Sequence, residues 1–214
     1  MRVEMLTVGL FQSNSFIVSC EKTNEAIIID ACDEADRILG YIEREKLDVK
    51  MIVNTHSHID HVTALPKVKS ALGVPVVMHE KELELYKGIP QQAAMFGIDA
   101  PELVEIDRFV KEGDRISFGT CSGEVVETPG HSPGGITLLF RDESPPRAFV
   151  GDVLFEGSIG RTDLPGCDES QMARTLREVI MKLPDDTVVH SGHGRDTTIG
   201  REKRTNPFLL QLRN

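Results

Sequence analysis

The chain is poor in the features that mark membrane, secreted and nucleic-acid-binding proteins. No apolar run approaches the length of a membrane-spanning helix. The opening Met1-Arg2-Val3-Glu4-Met5 meets an acidic residue at once and carries no apolar signal core. Its four cysteines, Cys20, Cys32, Cys121 and Cys167, are scattered with no CxxC pair, which excludes a disulfide framework and a cysteine-built zinc site. They read as reduced thiols, most of them small buried hydrophobes. Positive charge is short as well: 24 Lys and Arg against 34 Asp and Glu leave a net charge of −10 and no basic stripe for a nucleic acid. The expectation is a soluble cytoplasmic protein with neither a nucleic-acid nor a membrane partner.

What the chain does have is enough apolar mass for a full core: 40% of its 214 residues are hydrophobic and 27% charged. With no linker, low-complexity tract or strict repeat, residues 1–214 read as one domain. Val3–Val8, Ser15–Cys20 and Ala26–Asp30 read as strands, separated by the turn formers Gly9, Asn14 and Asn24. The third, Ala-Ile-Ile-Ile-Asp, is apolar on both faces and belongs in the middle of a sheet. Asp30 at its end either holds a neighbouring loop or ligand or simply forms the turn. Ala35, Ile38, Leu39 and Ile42 set a helical stripe within Asp33–Leu47, and Val49–Asn54 returns to the sheet.

A helix over Val62–Leu72 capped by Gly73, a strand over Val74–Met78 and a helix over Glu80–Tyr86 follow. Gly88–Glu105 is irregular and reads either as a lid loop or as a docked helical turn with Met95 and Phe96 in the core. In the second half, Arg115–Phe118, Gly123–Glu127, Gly135–Phe140, Ala148–Val150 and Val188–His190 are strands. A helix runs from Asp168 to Leu183, opened by a capping box of Asp168 and Gln171, and a last helix near Thr198–Thr205 stops before Asn206-Pro207. Amphipathic helices with one apolar stripe cover the outer faces of two packed sheets, an α+β sandwich of four αββα layers.

The chemistry gathers at His56-Ser57-His58-Ile59-Asp60-His61, directly behind the buried strand that ends at Val53. Three histidines and an aspartate leaving a rigid strand end are costly to fold unless they bind something. Period two puts His56, His58 and Asp60 on one side, with His61 facing elsewhere. Three further strand ends carry metal-capable groups: His131 after Thr128-Pro129-Gly130, Asp152 after Phe149-Val150-Gly151, and His193 between Gly192 and Gly194. His79 and His190 read as satisfied core or supporting histidines.

HxHxDH followed by single His, Asp and His residues resembles the metallo-β-lactamase superfamily, with all seven positions filled over essentially the whole chain. The resemblance implies that fold, two mixed sheets flanked by helices. It puts His56, His58 and His131 on one divalent ion and Asp60, His61 and His193 on a second, with Asp152 bridging. Two ions roughly 4 Å apart share a hydroxide and stabilise an oxyanion. Asp60 would both ligate and orient that hydroxide. Imidazole and carboxylate donors suit Zn, Fe or Mn alike.

Family members that hydrolyse β-lactams are exported and lack the bridging aspartate, so Asp152 disfavours antibiotic hydrolysis. Gly157-Ser158-Ile159-Gly160-Arg161-Thr162-Asp163 and the run Gly200–Phe208 look like the short glyoxalase II-like, or hydroxyacylglutathione hydrolase-like, proteins. That resemblance implies a metal-dependent thioesterase in which the bridging hydroxide attacks the carbonyl of a small thioester, linked to glutathione or to another thiol carrier. The C-terminal helical glutathione-binding domain of full-length glyoxalase II would begin about where this chain stops. Arg161 either forks onto a substrate carboxylate or pairs with Asp163. Arg201, Lys203 and Arg204 either add positive potential near His193 or form a solvated final helical turn. The competing implication is a persulfide dioxygenase with a single iron on His56, His131 and Asp152; a metal-binding protein without turnover stands behind both.

Overall fold

The computed structural model describes residues 1–212. Its first sheet runs β1 (Arg2–Val8), β2 (Ser13–Ser19), β3 (Glu25–Ile29), β4 (Asp48–Val53), β5 (Val76–His79) and β6 (Arg108–Val110), in that spatial order. The first three strands pair antiparallel and the last three join parallel. The second sheet is built from β7 (Arg115–Phe118), β8 (Cys121–Glu127), β9 (Ile136–Phe140) and β10 (Arg147–Gly151). After the small hairpin of β11 (Leu154–Phe155) and β12 (Ser158–Ile159), it continues with β13 (Val188–Ser191) and β14 (Thr197–Thr198). Its order is β14-β13-β10-β9-β8-β7, with β10 and β13 parallel and the other pairs antiparallel. Both sheets are therefore mixed.

Side-chain alternation converts these sheets into layers. Ile27 and Ile29 face the second sheet, packing with Phe16, Val53, Leu138, Phe140 and Phe149. Ile28, between them, faces the other way, toward Ile38 and Ile42 of α1 (Ala35–Glu45) and Leu65 and Val68 of α2 (Leu65–Leu72). All three isoleucines are completely buried, which fixes the register of β3 because a one-residue slip would reverse every face. Each contributes about 1.5–3 kcal/mol of burial. α3 (Leu83–Lys87) and α4 (Ile89–Phe96) complete the first outer layer through Tyr86, Ile89 and Ala93. The second sheet turns Val126, Leu139, Val150 and Val189 outward onto Met172 and Leu176 of α5 (Glu169–Glu178). Ile199 of α6 (Ile199–Thr205) and Leu209 of α7 (Pro207–Gln211) join them.

The expected layers are present, with local corrections. Asn14 is no turn former: it lies inside β2, buried, and its side chain serves another loop. Residues 88–105 are not a lid loop, since α4 occupies their first half. Nor are Met95 and Phe96 core, at 65% and 43% exposed; Ile89 and Ala93 supply the buried stripe instead. The helix expected over Asp168–Leu183 ends at Glu178 and passes into a 3-10 turn over Ile180–Lys182. Asp168 caps it by accepting from the Gln171 amide at 2.8 Å, but the Gln171 side chain accepts from Arg174, so the box is half formed. Gly73 ends α2 at φ 64°, where glycine is unstrained. Among the described residues no helix is long and apolar enough to cross a membrane.

Candidate metal centre

The loop behind β4 is held from below and from both sides. Asp30, in a left-handed conformation at the end of β3, accepts from the Thr55 amide at 2.7 Å and the Thr55 hydroxyl at 2.6 Å. It also lies 3.0 Å from His61 Nδ1. Of its two readings, loop holder is what the structure shows. Asn54 Nδ2 donates to the His61 carbonyl, and a 3-10 turn over Ile59–His61 folds the loop back on itself. Glu82, fully buried, accepts from the Ser57 amide at 2.7 Å and the Gly134 amide at 2.6 Å, tying the His56/His58 loop to the His131 loop. Gln92 of α4 accepts from the Ile59 amide at 2.9 Å.

The other strand ends bring their groups to the same place. His131 Nδ1 meets the Arg161 carbonyl at 2.8 Å, which turns Nε2 inward as a lone-pair donor. The Gly192-His193-Gly194 loop is fixed by Asn14, whose amide accepts nothing from it but donates: Nδ2 reaches the Ser191 and Gly194 carbonyls at 2.9 and 3.0 Å. Ser13 Oγ donates to Asp60 Oδ2 at 2.8 Å. A Cβ on Gly192 would overlap the Asp152 carboxylate, and one on Gly160 would overlap the Asp152 carbonyl, so both segments press against the centre where only glycine fits.

All seven candidate ligands converge. Nitrogens of His56, His58 and His131 lie within 4.8 Å of one another, as do donor atoms of Asp60, His61 and His193. Asp152 joins the groups: Oδ2 is 3.6 Å from His131 Nε2 and 3.4 Å from His193 Nε2, and Oδ1 is 3.4 Å from His61 Nε2. His58 Nδ1 faces His131 Nε2 at 2.8 Å. Residues that tie down their outer atoms leave inner ones unsatisfied: His56 Nε2, His61 Nε2 and Asp152 Oδ1 are buried and make no aligned hydrogen bond. Buried polar atoms aimed at a common point fit the demands of a cation.

Electrostatics agree with that fit. Burial, with the nearby His131, pushes His58 down to about 3, and burial with His61 drives His56 well below its usual range. Both are neutral imidazoles with lone pairs to give. Burial pushes Asp60 and Asp152 upward, but His61 and His193 outweigh it and hold both carboxylates ionised well below their usual range. Burial lowers His61 and His193, yet the same two carboxylates raise His61 well above its usual range and His193 to about 9. The second group thus attracts positive charge strongly.

Arg161 is half placed. Its backbone orients His131, while its fork is taken by Asp163, Nε and Nη2 donating at 2.7 and 2.8 Å. Arg201 pairs with Glu156 and Lys203 with Asp185, and neither lines the cavity over the centre. His79 bonds Glu127 at 3.0 Å and His190 stacks on Phe149 at 4.5 Å, both away from the centre. Glu82, Gln92, Ser13 and the clamping role of Asn14 went unread in the sequence. Glu82 lies in a Glu-Lys-Glu-Leu-Glu run that looks solvated, and only its buried position betrays it.

Residues 8–193 match the family profile of the Metallo-beta-lactamase superfamily. The chain is 38% identical over 211 residues to hydroxyacylglutathione hydrolase GloC of Haemophilus influenzae, covering 98% of each. Among solved structures it is similar to the BLEG-1 B3 metallo-beta-lactamase (TM-score 0.90, 33% identity, 97% and 99% of the chains). It is equally similar in fold to TTHA1623 in a di-iron-bound form (TM-score 0.89, 38% identity, 97% and 100%). Matched along its length by such relatives and carrying a His/Asp cluster fit for metal, the chain belongs to the metallo-beta-lactamase superfamily, among its metal-dependent hydrolases.

Proposed function

We propose that the chain hydrolyses small thioesters at a centre of two divalent ions, held by His56, His58 and His131 on one side and by Asp60, His61 and His193 on the other. Asp152 spans the two sets. The observation that supports this most is the placement of Asp152, within 3.6 Å of His131 and 3.4 Å of both His61 and His193. A carboxylate with contacts to both groups suits a paired centre better than a single-iron site of His56, His131 and Asp152. The di-iron form of TTHA1623 supports the same choice. The hydrolase name of the Haemophilus relative supports the bond type.

Two ions bound by these residues would supply a hydroxide at neutral pH and the positive charge that offsets a developing oxyanion. The chain's own residues set the stage for it. Asp60 is locked by Ser13, so its Oδ2 stays 3.1 Å from His193 and aimed inward. Asp30 and Glu82 hold the Thr55 and Ser57 amides on either side of His56, and Asp30 also lies against the His61 ring. The water oxygen bonds to the acyl carbon and the C–S bond breaks, releasing a carboxylate, a thiol and one proton to solvent. A thiolate departs readily without protonation, in keeping with a site that offers no dedicated acid beyond its own ligand set.

The test combines metal analysis with a substrate panel. Protein purified without added metal is expected to carry two metal ions per chain and to hydrolyse S-lactoylglutathione or a neutral-carrier thioester. Oxygen uptake with glutathione persulfide and one iron per chain would replace this reading with the dioxygenase. A β-lactam belongs in the panel because BLEG-1 is named a β-lactamase while Asp152 argues against that activity.

A further inference from the structure

The cavity above the centre, about 450 Å³, has a polar floor and apolar walls. Phe11, Ile59, Leu85, Met95, Phe96 and Leu164 line it. Phe11 arrives from the β1–β2 connection and Phe96 from the last turn of α4, and their rings meet edge to face at 5.1 Å. Of these lining residues, Met95 is 65% exposed and Phe96 43%. Large apolar side chains left exposed around one opening, instead of scattered singly, mark a surface that receives an apolar group.

Charge at the walls makes the same selection. Among the described residues no lysine lines the cavity, and its one guanidinium, Arg161, already has both arms of its fork on Asp163. Glu84 also lines the cavity and holds Lys87 at 2.7 Å for itself. A ligand bearing carboxylates therefore finds no unpaired cation at the walls and faces Glu84 at the rim. Glutathione brings two carboxylates; a neutral thiol brings none.

Resting on the thioesterase reading, we infer that the preferred substrate is an uncharged thioester with an apolar acyl chain, and that glutathione conjugates bind poorly. The wall of Phe11, Met95 and Phe96 takes the chain. Each methylene that it buries tightens binding by about threefold to fourfold.

Calorimetry on the metal-loaded protein tests this without turnover. The probes are inert S-alkyl thioethers of N-acetylcysteamine, methyl to octyl, against S-alkyl glutathiones of the same chain lengths. The neutral series is expected to tighten with chain length and to bind at least about tenfold more tightly than its glutathione counterparts. Phe96→Ala and Met95→Ser, the second at a 65% exposed position, each checked for native circular dichroism, should flatten the chain-length slope. Tighter binding of the glutathione series, absence of a slope, or a slope untouched by both variants would overturn the inference. Hydrolysis of the matching thioesters separates the two ideas. If the neutral series binds as expected but no thioester is turned over, the thioesterase reading fails; if thioesters are turned over with S-lactoylglutathione preferred, the apolar-substrate inference fails.

Discussion

The floor and the wall of the cavity are built by opposite rules. On the floor most side chains are buried, and hydrogen bonds from behind hold the ligand-bearing loops: Asp30 to Thr55 and His61, Glu82 to Ser57 and Gly134, Asn14 to the His193 loop. The wall, by contrast, leaves Met95 and Phe96 exposed, with an edge-to-face ring contact between Phe11 and Phe96. A crowded, hydrogen-bonded floor has one arrangement and so sets the reaction. An exposed wall can change residue by residue at little cost to the fold, and so sets the substrate.

Breaking the floor should give the largest effects. Asp152→Ala removes the group shared by both donor sets and is expected to lower hydrolysis by at least about a thousandfold. Metal content per chain should fall with it; a variant that keeps two ions and most of its rate would refute the ligand assignment. Glu82→Ala touches neither set but strands the Ser57 and Gly134 amides in a buried site. It should cost about 2–4 kcal/mol in chemical unfolding and weaken metal binding about 10- to 100-fold. Glu82→Gln, which restores one acceptor, should fall between that variant and the parent.

A pH series sharpens the floor further. His193, raised from its ordinary 6.5 to about 9 by Asp152 and Asp60 against the opposing effect of burial, adds stability to the metal-free protein. That contribution is complete below pH 6.5 and lost as pH rises through 9. Asp60 and Asp152, held below their ordinary 3.8, act in the other direction: their contribution is present above that pH and is lost as acid protonates them. An ion bound at His193 displaces its proton, so apparent metal affinity should climb from pH 6.5 toward 9. Chelator competition across that range measures it, and a flat profile would remove His193 from the ligand set.

The wall should respond least. Asp163→Ala releases the Arg161 fork, an exposed pair whose loss alters stability by under about 1 kcal/mol. It should nonetheless improve kcat/KM for S-lactoylglutathione about threefold to tenfold, because a guanidinium–carboxylate contact becomes available. If the carboxylate substrate gains nothing, Arg161 is a turn residue and the wall is purely apolar.

Much of this molecule is legible in its residues. The triple isoleucine of β3, the stripe of α1 and the Gly73 cap specify elements through period and propensity, which act within a few positions. The HxHxDH loop and the three later strand-end residues are legible for the same reason: metal chemistry needs particular donors, and rigid strand ends are where they can be aimed. The place of Met95 and Phe96 is not legible, because apolar character says that a residue prefers an apolar neighbour without saying whether that neighbour is core or ligand. Asn14 misled because a residue that favours turns also makes a good clamp once a strand carries it past a distant loop.

The donor types, the strand and helix periods and the alternation that sorts Ile27, Ile28 and Ile29 onto two faces were determined by the sequence alone, since each depends on local geometry. Only the tertiary structure decided that Glu82 joins two loops, that Asp163 holds Arg161 and that Asn14 steadies His193. Those contacts join residues brought together by the packing of two sheets, or depend on which rotamer that packing leaves open. Neither circumstance leaves a periodic trace in the chain.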